Sequence, residues 1–300
     1  CFEKCPADGA ILQGTSGLQR PFYALSRDHC LYYQDKSCTL CQEACPEGAI
    51  QLNQDAAKPI NCQADAVVLA TGFAPYDPTE KPYGYGHFKN VITNLELDRL
   101  LRRQGALTLP SDGATPEKIG FVQCVGSRDA KCNHLWCSKI CCGSALRAAH
   151  LIKSRHPDIQ ICFFYIDIQT FGKDFDTFYN QIRSEIELIR AIPGDFFETE
   201  ESRILVNYFD PQAHDAQEEA FDLMVLSVGL TPSQDIQPLA KMLALDVSDT
   251  GFAPLQTDIE TTSPGGVYTA GSVTGPMSIP ESMENACKTV YEIAHYLNTI

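Results

Sequence analysis

Cysteines at 38, 41 and 45, the last followed directly by Pro46, constrain this chain more than any other stretch. Cys30 lies seven intervening residues upstream of Cys38, and Cys1-x3-Cys5-Pro6 has the form of the tail of a second copy. In ferredoxins with two cubanes, three closely spaced cysteines wrap one cluster, while the cysteine before proline crosses to the other. By that logic Cys30, Cys38 and Cys41 hold one [4Fe–4S] cluster, with Cys5 as the fourth ligand. Cys45 joins Cys1 on a second cluster, whose remaining ligands are expected upstream. The chain thus reads as a fragment without its N-terminal part. Zinc sites also use paired cysteines, but two Cys-Pro endings around a CxxCxxxCP run point to iron–sulfur chemistry.

The remaining composition agrees. A chain of 300 residues, 44% hydrophobic, can build its core without disulfides. Ten of its 14 cysteines fall in clusters, which favours metal over a disulfide framework and implies a reducing cytoplasm. A net charge of −15 argues against non-specific binding to nucleic acid or anionic lipid. No apolar run approaches the roughly 20 residues needed to span a bilayer, so direct membrane insertion is not expected, and no signal peptide is apparent.

Beyond residue 62 the texture changes. The run ADAVVLATGF over 64–73 is an apolar strand ending in a small-residue turn, and 95–104 is patterned as an amphipathic helix. Strands over 119–126 and 160–168, separated by a cysteine-rich loop and a helix over 143–155, form a β-α-β unit suited to a buried parallel sheet. A helix over 175–189, strands over 204–209 and 221–230, and a strand–turn–helix over 265–297 continue the alternation, with a solvated loop at 212–219. The expected class is α/β. It comprises a ferredoxin-like iron–sulfur insertion (1–62), an FAD-binding domain lacking its N-terminal part (63–75 and 246–300) and a second Rossmann-like domain (76–245).

A second constellation sits inside that last domain. Cys124 ends a strand, and Cys137, Cys141 and Cys142 follow just before a helix. In a dinucleotide-binding fold this turn carries G-x-G-x-x-G, so that a pyrophosphate can reach the helix N-terminus. Here thiols replace the glycines, and the pattern reads as a nicotinamide-binding scaffold whose pyrophosphate loop has become a metal site. The helix N-terminus and Arg128 or Lys139 can offset the negative charge of a thiolate-bound cubane. A zinc knot or a redox disulfide is the plainer alternative, and Cys132 is a substitute for one ligand. His134 and Trp136 are expected to shield the cluster rather than ligate it. Cys162 and Cys287 are expected to be small core residues, and Cys62 stands alone.

Signs of a flavin are distributed. Ala70-Thr71-Gly72 ends one strand, and Thr269-Ala270-Gly271-Ser272 ends a later one; small residues there let backbone approach a cofactor closely. Gly229 closes the return strand of the second domain. After Pro276 a helix opens at Pro280-Glu281, and its N-terminal amides are expected to face the flavin's pyrimidine edge. Lys173 and Asp174 are expected at a flavin or partner face, or in a helix cap. Asp167 is expected to be structural, because no glycine loop precedes it.

These residues together resemble the A subunit of heterodisulfide reductase and its relatives in quinone-interacting oxidoreductase complexes. The matching stretches are C-x7-CxxCxxxCPEGAI (30–50), ADAVVLATGF (64–73), FVQCVGSRD (121–129), CSKICC (137–142), FYIDIQTFGKDFDTFY (164–179), VLSVGLTPS (225–233) and GPMSIPES (275–282). The resemblance implies a thioredoxin-reductase-like scaffold with two dinucleotide-binding domains and a ferredoxin-like insertion. It implies an oxidoreductase in which FAD exchanges electrons with the clusters, and it assigns one cluster to Cys124, Cys137, Cys141 and Cys142. No side chain is assigned a catalytic acid–base or nucleophilic role. The implied partners are ferredoxin and other electron-transfer subunits: heterodisulfide reductase B- and C-like, hydrogenase or quinone-interacting. The implied location is the cytoplasm, including the periphery of a membrane complex. Arg147 stands where many relatives carry a lysine near the flavin, and Ser272 where flavin disulfide reductases usually carry aspartate. Residues 251–266 lack the His-x-Lys-Leu-like pattern of members that split electron pairs, so simple relay is the expected chemistry. The competing readings are a cluster-only electron wire and an NAD(P)H-dependent flavin oxidoreductase; loss of the glycine turn argues against the latter.

Overall fold

The computed structural model describes residues 2–15, 21–53, 61–102, 107–169, 172–254 and 265–299. Cys1 and most of the 251–266 stretch lie outside the described residues. The chain divides into two compact units, Cys1–Gln63 and Ala64–Ile300.

In the first unit β1 (Ile11–Thr15) and β2 (Pro21–Leu25) pair antiparallel. Two short helices follow, α1 (Leu31–Asp35) and α2 (Leu40–Glu43). Cys30 directly precedes α1 without a side-chain cap bond, and Cys41 lies buried within α2. Among the described residues Ile11, Cys41 and Leu52 form a buried cluster, with Leu25, Tyr32 and Ile50 packed against it. Each fully buried apolar side chain contributes about 1.5–3 kcal/mol, whereas ordering the backbone costs about 1–2 kcal/mol per residue. A bound metal would add to the stability that such a cluster supplies.

The second unit is built on a five-stranded sheet, all parallel, in the order β5-β12-β6-β7-β8. Before it come β3 (Val67–Leu69) and β4 (Phe73–Pro75). The sheet and its connections are β5 (Val91–Thr93), α3 (Asn94–Arg102), β6 (Lys118–Val125), α4 (Cys141–Arg155), β7 (Gln160–Phe164), α5 (Phe175–Ile182) and β8 (Glu187–Ile189). A three-stranded antiparallel sheet of β9 (Phe196–Glu198), β10 (Ile204–Asp210) and β11 (Asp215–Phe221) follows. The chain then re-enters the parallel sheet as β12 (Leu223–Val228) and continues through β13 (Leu230–Pro232), α6 (Ile236–Leu243), β14 (Val267–Thr269) and α7 (Ile279–Leu297). β14 pairs parallel with β3, and β13 antiparallel with β4.

Two cores flank the parallel sheet. Phe121, Phe163 and Val225 join Leu146 and Ile152 of α4 on one face; Val122, Phe164 and Met224 join Ile204, Val206 and Phe221 on the other. Among the described residues no helix is long and apolar enough to cross a membrane.

Three expectations fail. The helix expected over 175–189 ends at Ile182, because Glu187–Ile189 pair with Cys162–Phe164 and extend the sheet edge instead. The loop expected over 212–219 is largely β11, whose polar residues occupy the wet side of a hairpin strand pairing Asp215 with Asp210 through Phe221 with Ile204. Cys287 is exposed on α7 rather than in a core, whereas Cys162 is wholly buried.

Candidate metal centres

In the first unit Cys5, Cys30, Cys38 and Cys41 line one pocket with Pro6 and Ala10. Burial pushes the Cys41 thiol up, and Cys30 and Cys38 add to the rise. Thiols so crowded resist ionising alone, but a metal centre that shares them reverses that logic. Cys45 does not line this pocket. Its sulfur accepts the Ala49 N–H at 3.4 Å, and the Ala49 and Glu47 amides hold its thiol below the ordinary range.

The second nest is made by a deformed strand. Along β6 and β12, Val122 opposes Leu226 but Val125 opposes Val228, so Gln123 and Cys124 together face Ser227. Such a bulge breaks the alternation of side chains. Cys124 takes a left-handed φ of 62°, and Arg128, Asn133 and Lys139 in the following loop do the same. Non-glycine residues held there cost of order 1–3 kcal/mol each, and they cluster where function requires them. At the far end of the loop Cys141 and Cys142 are the first two residues of α4, whose N-terminus has no side-chain cap. Its free amides therefore favour negative charge at this point.

Burial, and then Cys142, push the Cys124 thiol up to about 11; burial, then Cys142, Cys124 and Cys137, push Cys141 up to about 12. Burial also raises Cys142, with Cys137 contributing. The four thiols thus act on one another electrostatically around the head of α4. The all-thiol donor set is the one that iron–sulfur clusters use. Arg128 offsets part of the charge near Cys124 and Cys137 while bound to Asp167 at 2.5 Å.

Sequence reasoning missed the supports of this loop. Ser138 is fully buried: its Oγ accepts the Leu230 N–H at 2.8 Å and donates to Ser127 Oγ at 3.1 Å, while Ser127 donates to the Trp136 carbonyl. Trp136 Nε1 donates to the Leu230 carbonyl at 3.0 Å, and His134 Nδ1 lies 3.0 Å from the Gly126 carbonyl. Gly229 makes this possible, since a Cβ there would lie 2.7 Å from both Ser127 Cβ and Ser138 Oγ. This glycine thus serves the cysteine loop. Cys132 stands in a separate group, its sulfur 3.3 Å from Tyr76 Oη.

Next to the nest lies a cavity of about 1160 Å³, lined by α3, the start of α4, and residues 272–286. Arg147, Ser272, Lys139 and Lys173 line it; Ala70, Thr71, Gly72, Gly271 and Pro276 are not part of the lining. Gly72 and Gly271 adopt left-handed φ of 71° and 73°, and an added Cβ at Gly271 would meet nothing within 4 Å. A Cβ added at Gly72 would lie 3.7 Å from Ser272 Oγ. The volume exceeds a typical small-molecule site, and the open glycine backbone is compatible with a planar cofactor. At α7 the expected bare amides are partly satisfied: Ser278 and Glu281 form a reciprocal capping box, and Lys139 donates to Glu281 at 2.7 Å. Lys139, then the Ser278 amide, holds Glu281 down to about 2. Asp174 starts α5 with a left-handed φ but makes no side-chain cap.

The arrangement defines the class. Thioredoxin reductase of T. acidophilum aligns with a TM-score of 0.51 at 14% identity, covering 79% of this chain and 66% of that one. The Lactococcus lactis enzyme aligns with a TM-score of 0.50 at 15% identity, covering 78% and 67%. The fold is therefore that of the flavoproteins with two dinucleotide-binding domains. No protein-family model matches the chain. Among curated proteins, the A subunit of the H2:CoB-CoM heterodisulfide,ferredoxin reductase of Methanothermobacter marburgensis is 35% identical over 273 residues, which are 87% of this chain and 40% of the relative. The iron-sulfur A subunit of the CoB–CoM heterodisulfide reductase of Methanocaldococcus jannaschii is 37% identical over 280 residues, 88% of this chain and 41% of the relative. Over the stretch it spans, the chain belongs to the family of heterodisulfide reductase A subunits, and it spans about two fifths of the length of those relatives.

Proposed function

We propose that this chain is the cluster-binding and flavin-facing part of an oxidoreductase that relays electrons in a heterodisulfide-reductase-like complex of anaerobic energy metabolism. The observation that carries this reading is the nest of Cys124, Cys137, Cys141 and Cys142 where the fold otherwise grips a pyrophosphate, beside a large cavity lined by Arg147 and Ser272. Bound [4Fe–4S] clusters supply one-electron chemistry, and bound FAD links it to two-electron chemistry. The protein's own part is to fix spacing and charge. Cys124, Cys137, Cys141 and Cys142 hold one cluster, and Cys5, Cys30, Cys38 and Cys41 another; Cys45 and Cys1 belong to a third. Lys139, Arg147 and Lys173 present positive charge to the cavity, where an anionic cofactor gains from it. Residues 1–62 act as the ferredoxin-like module, 76–245 as the Rossmann-like domain, and 63–75 with 246–300 as part of the FAD domain.

Partner subunits and ferredoxin are the proposed sources and sinks of electrons. Supporting this, relatives are named for ferredoxin, H2, formate and F420H2. Anaerobic reduction tests the reading. Reduced ferredoxin is expected to bleach the cluster absorbance of the cluster-loaded chain within seconds, and NADPH to leave it unchanged. Rapid bleaching by NADPH and none by ferredoxin would replace this reading with a nicotinamide-dependent reductase.

A further inference from the structure

One group of metal-ligating side chains belongs to neither nest. Cys162 of β7, Glu187 of β8 and Glu219 of β11 bring a sulfur and two carboxylate oxygens within 4.8 Å of one another. The topology accounts for the meeting. Cys162 and Glu187 are register partners on adjacent parallel strands, so their side chains leave the sheet on the same face. Glu219 comes from the antiparallel sheet, opposite Val206, and Val206 shares a core with Cys162.

Two features of this group are unsatisfied. Cys162 is wholly buried, is in no disulfide, and its thiol has no hydrogen-bond partner among the described residues. Glu219 receives the Lys118 ammonium on Oε1, but its Oε2 is buried without a partner among the described residues. Buried polar groups are nearly always paired, and here a free thiol meets a carboxylate that carries an orphaned oxygen. Burial, then Glu187 and Glu219, push the Cys162 thiol well above the ordinary range, so the group is crowded with potential negative charge. Glu187 is exposed, which leaves a route from solvent.

We propose that Cys162, Glu187 and Glu219 form a structural divalent-cation site, with zinc as the matching ion, that ties β11 to the edge of the parallel sheet. Zinc accepts thiolate and carboxylate together and completes a tetrahedron with water. On binding, the Cys162 S–H bond breaks, its proton leaves to solvent and a Zn–S bond forms; no electron moves. One thiolate and two carboxylates against Lys118 leave a net charge of about −2, which a dication neutralises.

The test uses the full chain, cluster-loaded and purified anaerobically, given zinc chloride and passed through a desalting column. Zinc and iron are measured together, and the zinc environment by X-ray absorption at the zinc edge. The expected result is about one retained zinc with one sulfur near 2.3 Å and oxygen or nitrogen at about 2.0–2.2 Å. Cys162→Ser should abolish it. Glu187→Gln, at an exposed position, should keep the fold and weaken zinc binding about tenfold or more, with iron unchanged in both variants. The proposal is overturned by no retained zinc, by a sulfur-only shell with iron lost in proportion (zinc in a cluster nest), or by retention indifferent to both substitutions.

Discussion

The two thiol nests reach similar donor sets by opposite routes. In the first unit three of the four ligands, Cys30, Cys38 and Cys41, lie around helices of five and four residues, beside a small cluster of Ile11, Cys41 and Leu52 among the described residues. There the metal is expected to hold the polypeptide. In the second unit the polypeptide holds the nest: a bulged central strand, a helix N-terminus and the Ser127–Ser138–Leu230 bonds fix the loop against a large core. A cluster motif can therefore be a folding device in one place and a passenger on a finished scaffold in another.

The sharpest way to break this contrast is to remove one ligand from each nest. Cys41→Ala should unfold the first unit, with amide exchange over 21–53 rising by orders of magnitude, because metal binding and folding are coupled there. Cys141→Ala should leave exchange over β6, β7 and β12 within a few-fold of wild type. Equal protection in both variants would erase the distinction.

Next in size is Gly229→Val. Its side chain would collide with Ser127 and Ser138, whose atoms already stand 2.7 Å from an ideal Cβ. Loss of the second cluster with the first retained is expected, read as a selective loss of one electron paramagnetic resonance signal, together with a destabilisation of about 1–3 kcal/mol. Ser138→Ala introduces no clash. It leaves the Leu230 N–H without its buried acceptor, so urea unfolding of the second unit should lose about 1–3 kcal/mol.

The smallest effect concerns Glu281. Lys139 holds its folded pKa at about 2, below the ordinary 4.5. Between those values the unfolded chain binds more protons, so the contribution is complete above pH about 4.5 and fades as pH falls towards 2. The pair is partly exposed, with side chains 33% and 39% accessible, and solvent screening limits it to roughly 0.5 kcal/mol. The gap in stability between wild type and Glu281→Gln should shrink from pH 6 to pH 3; a constant gap would mean the carboxylate does not carry it.

The same contrast governs what is legible in the sequence. The first nest is legible because Cys38 and Cys41 belong to a CxxCxxxCP run and Cys5 precedes a proline. The second is legible as a substitution, thiols where a glycine turn belongs. Its supports are not, since Ser138 and Leu230 are 92 residues apart and nothing local marks Ser138 as an acceptor. Gly229 reads as a flavin position because a small residue at a strand end fits any close approach; only the structure shows that the neighbour is the cysteine loop. β11 is hidden because a strand with one wet face carries the composition of a loop. β8 merges into a helical pattern because its three residues are too few to show a period of two.

The most direct test is iron and acid-labile sulfide per chain after anaerobic purification, with wild type beside Cys137→Ala. Two four-thiol nests predict about eight irons, falling by about four in the variant. Iron near four in wild type, unchanged by Cys137→Ala, would show that the loop at the head of α4 is not a cluster site.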